Sequence, residues 1–140
     1  MSLERTKAWF DEAIPEPTME QACIQVGCHI EEFNEMFEAL GYECATEELE
    51  RIADSFKGSS SHQVGDVERC DKEELLDSLV DQIVTAVGVG HMFGMDVLGA
   101  LEEVNRSNFS KFEDGKAVFD ENGKITKGKN YVKPNLKPFV

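Results

Sequence analysis

With 140 residues, 41% of them hydrophobic, and a formal net charge of −14, the chain is long enough to bury a sizeable core. It is too acidic to grip a nucleic acid polymer unaided, since that binding is driven by Lys and Arg neutralising phosphates. No run approaches the ~18 apolar residues that a membrane span needs, and MSLERTKAWFDEA carries charges where a signal peptide would be apolar, so a cytoplasmic protein of one domain is expected.

The first helix is predicted over Leu3 to Ala13, with Trp9 and Phe10 as docking residues, and the two prolines of IPEP end it. Thr18 opens the second, with Gln21 placed to complete a capping box, and Gly41 follows its end at about Leu40. A third, more polar helix starts near Thr46 and runs through EELERIADSF. The next stretch, KGSSSHQVGDVERC, reads as a loop or insertion. Asp71 caps a fourth helix reaching about Phe93, and Gly94 and Asp96 break the chain before a fifth, through Asn105 or beyond. Asn122-Gly123 is a two-residue hairpin turn between AVFDE and KIT, and DENGK does not match a calcium loop. The fold class is therefore all-α, a bundle of about five helices over residues 1–112 with a basic extension, 113–140, that carries the hairpin.

Cys23, Cys28, Cys44 and Cys70 form no CxxC pair, and with His29, His62 and His91 they offer no zinc spacing, so they read as reduced packing thiols. His29 and His91 sit among apolar residues and read as core or supporting groups.

Most acidic runs on helices are solvated faces, and HIEEFNEMFEAL starts from that expectation. On a helical projection, however, Val26, His29, Ile30, Phe33, Met36, Phe37 and Leu40 form the apolar arc and Glu32 falls at its edge. A carboxylate at a packing edge is costly unless it is paired or binds a metal, and Glu35 is one turn further on. Glu31 and Glu38 point away. On the fourth helix Glu74, Asp77 and Asp81 share an arc of roughly 60° opposite Leu76, Leu79, Val80, Ile83 and Val87. The acidic stripe continues into Gly88, Met92 and Met95 and is expected to be partly buried. Asp71-x-x-Glu74 is itself a capping box, which gives Glu74 a purely local explanation. Carboxylates paired in this way are hard oxygen ligands suited to Mg²⁺ or Mn²⁺. Lys111 to Val140 holds seven lysines against four acids, a local charge of +3 that leaves −17 on the rest. This segment is either a solubilising tail or a basic strap closing over an anionic ligand.

Glu32-x-x-Glu35, ELLDSLVD at 74 to 81, Gly88, FGMD at 93 to 96, SNFSK at 107 to 111 and GKITKGKNYVKP at 123 to 134 together resemble the all-α NTP pyrophosphohydrolase superfamily. The likeness is to its MazG-like and phosphoribosyl-ATP pyrophosphohydrolase-like members, especially the short phage-associated ones. The resemblance implies Mg²⁺-dependent cleavage of a nucleoside triphosphate to the monophosphate and pyrophosphate, in a homodimer or homotetramer. It makes Glu32 and Glu35 the first acidic pair and Asp81 the final Asp. Because the usual E-x-x-D spacing would then put Glu at Ser78, either Asp77 substitutes or Glu74 and Asp77 form the pair. Glu35 is the candidate for orienting or deprotonating the attacking water. Asn108 and Lys111 are implied nucleotide contacts, and Lys127 and Tyr131 belong to the part that would cover the substrate. Two other readings stand beside it: a non-catalytic helical interaction module, and phosphoribosyl-ATP hydrolysis.

Overall fold

The computed structural model describes residues 1–140, the side chains of Cys44 and Ala45 excepted. The chain is all-α with one small hairpin, as expected. Six helices are present: α1 (Ser2–Ala13), α2 (Met19–Ala39), α3 (Glu43–Lys57), α4 (Ser61–Arg69), α5 (Lys72–Met92) and α6 (Val97–Phe109). Strands β1 (Val118–Phe119) and β2 (Ile125–Thr126) pair antiparallel, and Lys137–Phe139 forms a 3-10 turn.

The helix starts are set by side chains that satisfy the orphan N–H groups of a first turn. The Thr18 hydroxyl accepts from Gln21 N at 3.2 Å while the Gln21 amide oxygen accepts from Thr18 N at 2.9 Å, completing the predicted box. Asp71 accepts from the backbone of Glu73 and Glu74, and Asp96 from Gly99 at 2.9 Å. Gly94, at φ +72°, takes the left-handed conformation that ends α5.

Two elements differ from the sequence reading. The expected loop contains α4, capped by Ser60, whose hydroxyl accepts from Gln63 N. Its central Gly65 lowers intrinsic propensity, and packing against α2 and α3 overrides that. The hairpin turn is longer than two residues: Phe119 pairs with Ile125, so residues 120–124 form the loop, with Gly123 at φ +81°.

The chain groups into two compact units. The first holds Met1–Pro15, Asp71–Asp120 and Ile125–Val140; the second holds Glu16–Cys70 and Glu121–Lys124. In the first unit α1 lies on α6. Trp9 stacks on Phe112, with ring centroids 5.7 Å apart, and donates Nε1–H to the Asn108 carbonyl at 2.8 Å. Asn105, 1% exposed, accepts from Thr6 Oγ1 at 2.9 Å and donates to the Ser2 carbonyl at 2.8 Å, tying the same two helices together. The C-terminal tail then runs back along α6. Gly128 N donates to Lys111 O, Val132 N to Ser110 Oγ, Asn135 N to Glu103 Oε1 and Asp96 N to Phe139 O, at 2.8 to 3.0 Å. The basic segment is thus a strap fixed to α6 by its backbone.

In the second unit α2 and α3 run antiparallel, and the residues between them are small. Cys23, Gly27 and Asn34 are the buried residues of α2, and Cys23 Sγ reaches the Phe56 carbonyl at 3.4 Å. Much of the arc expected in the core lies outward instead: Phe33 is 48% exposed and Leu40 54%, while Val26, Ile30 and Phe37 are half-buried. Gly27 explains the inversion, because without a Cβ the backbones approach more closely than large side chains would permit. His29 and His91 are exposed rather than buried. On α5 the expected core face is also open, with Leu76 62% and Ile83 47% exposed. Asp77, Asp81 and Met92 on the acidic stripe are exposed as well, so that stripe is not partly buried in the single chain. Gly90, buried against Val97, marks where α5 meets α6.

Candidate metal and nucleotide site

The predicted carboxylates fall into two groups, one in each unit. On α2, Glu32 and Glu35 are both exposed. Partial burial, then the neighbouring Glu32, Glu31 and Glu38 carboxylates, raise the Glu35 pKa above the usual carboxylate value, against a smaller opposing effect of Lys124. Negative charge is therefore crowded at this point of the helix. Glu31 is neutralised by cations. It lies 2.9 Å from Lys124 Nζ and 3.3 Å from Lys57 Nζ, and the Lys124 hydrogen bond, with the added pull of Lys57, lowers its pKa. Its role is structural, in keeping with its direction on the helical projection.

On α5, Asp71, Glu73, Glu74 and Asp77 line an open cleft of about 410 Å³ at the helix start. Asp71 caps the helix, but the Glu74 side chain makes no return bond, so the capping box expected from Asp71-x-x-Glu74 is half formed. Glu74 is consequently available beside Asp77. The two are three residues apart on one face, where side chains are neighbours about 5–6 Å apart at Cβ. Asp81 lies a turn further on and does not line this cleft. Among the described residues no group of three or more His, Cys, Asp or Glu side chains is arranged to hold a metal ion. Each unit thus presents a pair of carboxylates, and neither pair is a complete cage.

The expected nucleotide contacts all belong to the first unit. Asn108 gives its carbonyl to Trp9. Lys111 Nζ lies 5.8 Å from the centroid of the Trp9 ring, and Lys127 Nζ lies 5.0 Å from that of Tyr131. Both cations rest on aromatic faces. Asn34 escaped the sequence reading: it is 7% exposed and its Oδ1 has no hydrogen-bond partner. Its signal was the small-residue stripe it shares with Cys23 and Gly27, visible only when the large apolar arc is not assumed to be the core.

No protein-family model matches the chain, and no curated protein or solved structure matches it. No single helix among the described residues is long and apolar enough to cross a membrane; α5 and α6 pass that test only as a pair bent by 118°.

Proposed function

We propose that the chain is a cytoplasmic, Mg²⁺-dependent nucleoside triphosphate pyrophosphohydrolase that works as a homodimer or homotetramer. The observation that carries this reading is the release of Glu74 from its capping role. It leaves a Glu74-x-x-Asp77 pair on α5 to answer Glu32-x-x-Glu35 on α2, in the order the family resemblance implies. Glu74 and Asp77 then replace Asp77 and Asp81 as the first choice for the second pair, with Asp81 a turn behind.

The donor set fits the ion, since all four groups are hard carboxylate oxygens and Mg²⁺ favours such ligands. When bound, Mg²⁺ neutralises the triphosphate and lowers the pKa of an attacking water. Glu35, whose raised pKa makes it a better base than an ordinary carboxylate, orients that water and takes its proton. Lys111 and Lys127 offset charge on the leaving pyrophosphate, and Asn108 and Tyr131 border the nucleotide.

Assembly follows from what the single chain leaves open. Its buried apolar residues are only Trp9, Ala13, Cys23, Ala53 and Phe112 among those described, while Leu75, Leu76, Leu79, Val80, Ile83, Val84 and Val87 are all exposed along α5. An apolar stripe of this length, on a helix roughly 30 Å long, is covered here by a second copy.

The deciding experiment is a panel of dNTPs, NTPs and phosphoribosyl-ATP assayed for pyrophosphate with Mg²⁺. At least one substrate is expected to be cleaved, and Glu35→Gln and Asp77→Asn are each expected to lower kcat at least 100-fold with the circular dichroism unchanged. Wild-type rates in both variants refute the assignment. No pyrophosphate from any substrate leaves the interaction-module reading, which the exposed α5 face also suits.

A further inference from the structure

We infer that the open face of α2 docks the basic strap of a second copy, head to tail, in a contact separate from the α5 stripe. Phe33, Met36, Phe37 and Leu40 fall within an arc of roughly 100° on α2. The Phe37 ring continues the run towards Tyr42: its centroid is 5.2 Å from that of Phe33 and 6.2 Å from that of Tyr42, both edge to face. Phe33, Met36, Leu40 and Tyr42 are all exposed. Together they open roughly 300–400 Å² of apolar surface, the size of the largest patch on an ordinary monomer.

The charge around this face selects its occupant. Residues 19–50, which include all of α2, hold nine glutamates and no Lys or Arg. Glu32 stands at one edge of the stripe, roughly 40° round the helix from Met36, and Glu43 follows Tyr42. Setting α2 of one copy against α2 of another would bring like charges together, at a cost in affinity. The complementary occupant is cationic and carries apolar side chains of its own, and the strap has that composition. Residues 125–140 hold Lys127, Lys129, Lys133 and Lys137 and no acidic side chain. Among the described residues Lys129, Lys133 and Lys137 make no ion pair, and Val132, Leu136 and Val140 are exposed between and beyond them. Backbone bonds at Val132 and Asn135 already hold this segment on α6, so docking orders little further chain. Because the two faces differ, the contact is heterologous and can continue from copy to copy. At this area per side it belongs with weak, transient interfaces, populated in concentrated protein and dissolved in the dilute solutions where the α5 interface persists. Lys127 and Tyr131 stay free for the nucleotide, and the contact does not depend on hydrolysis.

The test uses the full chain carrying Ile83→Asp, which opens the α5 interface and leaves the α2 face and the strap intact. Sedimentation equilibrium at on the order of 0.3 mM protein and ~20 mM salt is expected to give a mass above that of one chain that rises with concentration, with association at least threefold weaker in ~300 mM salt. In this background Leu40→Lys spoils the α2 face, and Lys133→Glu with Lys137→Glu spoils the strap. Each variant alone is expected to associate at least tenfold more weakly. Mixed in equal amounts they retain one intact α2 face and one intact strap between them, so the mixture is expected to form a one-to-one dimer that grows no further. Tyr42→Lys, at an exposed position before α3, takes the place of Leu40→Lys where circular dichroism shows the latter unfolded. A parent that stays monomeric at every concentration overturns the inference and leaves the α2 face to a foreign cationic partner. Variants that associate as the parent does, or a mixture no heavier than either variant alone, overturn it equally. None of these outcomes bears on pyrophosphate release, which is measured separately.

Discussion

Gly27→Ala tests the inverted packing of α2 most directly. A Cβ at this position would lie 2.7 Å from the Ala53 carbonyl oxygen and 2.8 Å from the Lys57 backbone N. Both are main-chain atoms, so no side-chain rotation relieves the clash. Restoring ordinary contact requires α2 and α3 to part by roughly 0.6 Å, and a gap of this size forfeits about a quarter to a half of the dispersion energy along the seam. Overpacking of this kind costs about 1–3 kcal/mol, and the better helix propensity of Ala returns about 1 kcal/mol. The net expectation is a loss of about 1 kcal/mol, seen in circular dichroism as a melting temperature lower by ~2–5 °C. Gly88→Ala on α5 is the matched control, because a Cβ there meets nothing within 4 Å. It gains propensity without a clash and should melt higher than the parent. If Gly27→Ala melts at or above the parent temperature, the close approach of α2 and α3 through the small-residue face is refuted.

Ile83→Asp, near the middle of the α5 stripe, is expected to reduce the solution mass measured by light scattering to that of one chain; an unchanged mass removes α5 from the interface. Asn105→Ala removes the amide that accepts from the Thr6 hydroxyl and donates to the Ser2 carbonyl, two groups that still reach one another at 3.1 Å, and should cost roughly 1–2 kcal/mol in urea unfolding; a loss below about 0.5 kcal/mol would show that water replaces the amide. Glu103 has its pKa lowered to about 2, first by its hydrogen bonds from Arg106 and then by the Asn135 backbone N–H. A carboxylate with a depressed folded-state pKa contributes fully above its ordinary value near 4.5 and loses that contribution as pH falls toward about 2. Hydrogen exchange at Asn135 should therefore be slow at pH 6 and accelerate below pH 4 beyond the intrinsic trend, and Glu103→Gln should make it fast at both.

What was legible in the sequence was local. Thr18 with Gln21, Asp71 and Asp96 each fix a helix start through bonds reaching two or three residues, and such bonds survive whatever packs on the helix later. Trp9 was legible as an anchor because two adjacent large aromatics, Trp9 and Phe10, in a short polar helix have few other uses. The α4 helix was not legible, since Gly65 and the serines before it argue for a loop and only contact with α2 and α3 outweighs them. Among the candidate residues, the capping role of Glu74 failed for a related reason: the pattern Asp71-x-x-Glu74 permits a return bond and does not compel one.

The misassigned faces of α2 and α5 have a common physical cause. Periodicity identifies apolar residues that are buried somewhere, and it does not say whether the covering surface belongs to the same chain. Phe33, Met36 and Leu40 on α2, with Leu76, Val80 and Ile83 on α5, are patterned for burial and lie exposed. At 100° per residue, Glu32 stands roughly 40° from Met36, and Asp77 roughly 60° from Val80. A partner that covers either stripe therefore draws the adjacent carboxylates toward a drier environment, where like charges repel more strongly and each must find a cation. On the proposed function, burial of the stripes and binding of a divalent ion by Glu32, Glu35, Glu74 and Asp77 would reinforce one another. Mg²⁺ should tighten the dimer by sedimentation equilibrium, and Asp77→Asn, which relieves the repulsion, should leave a dimer whose affinity no longer responds to the ion. A dimer equally strong in EDTA and in Mg²⁺ in the wild-type chain would separate the apolar face from the acidic pairs and assign them to different tasks.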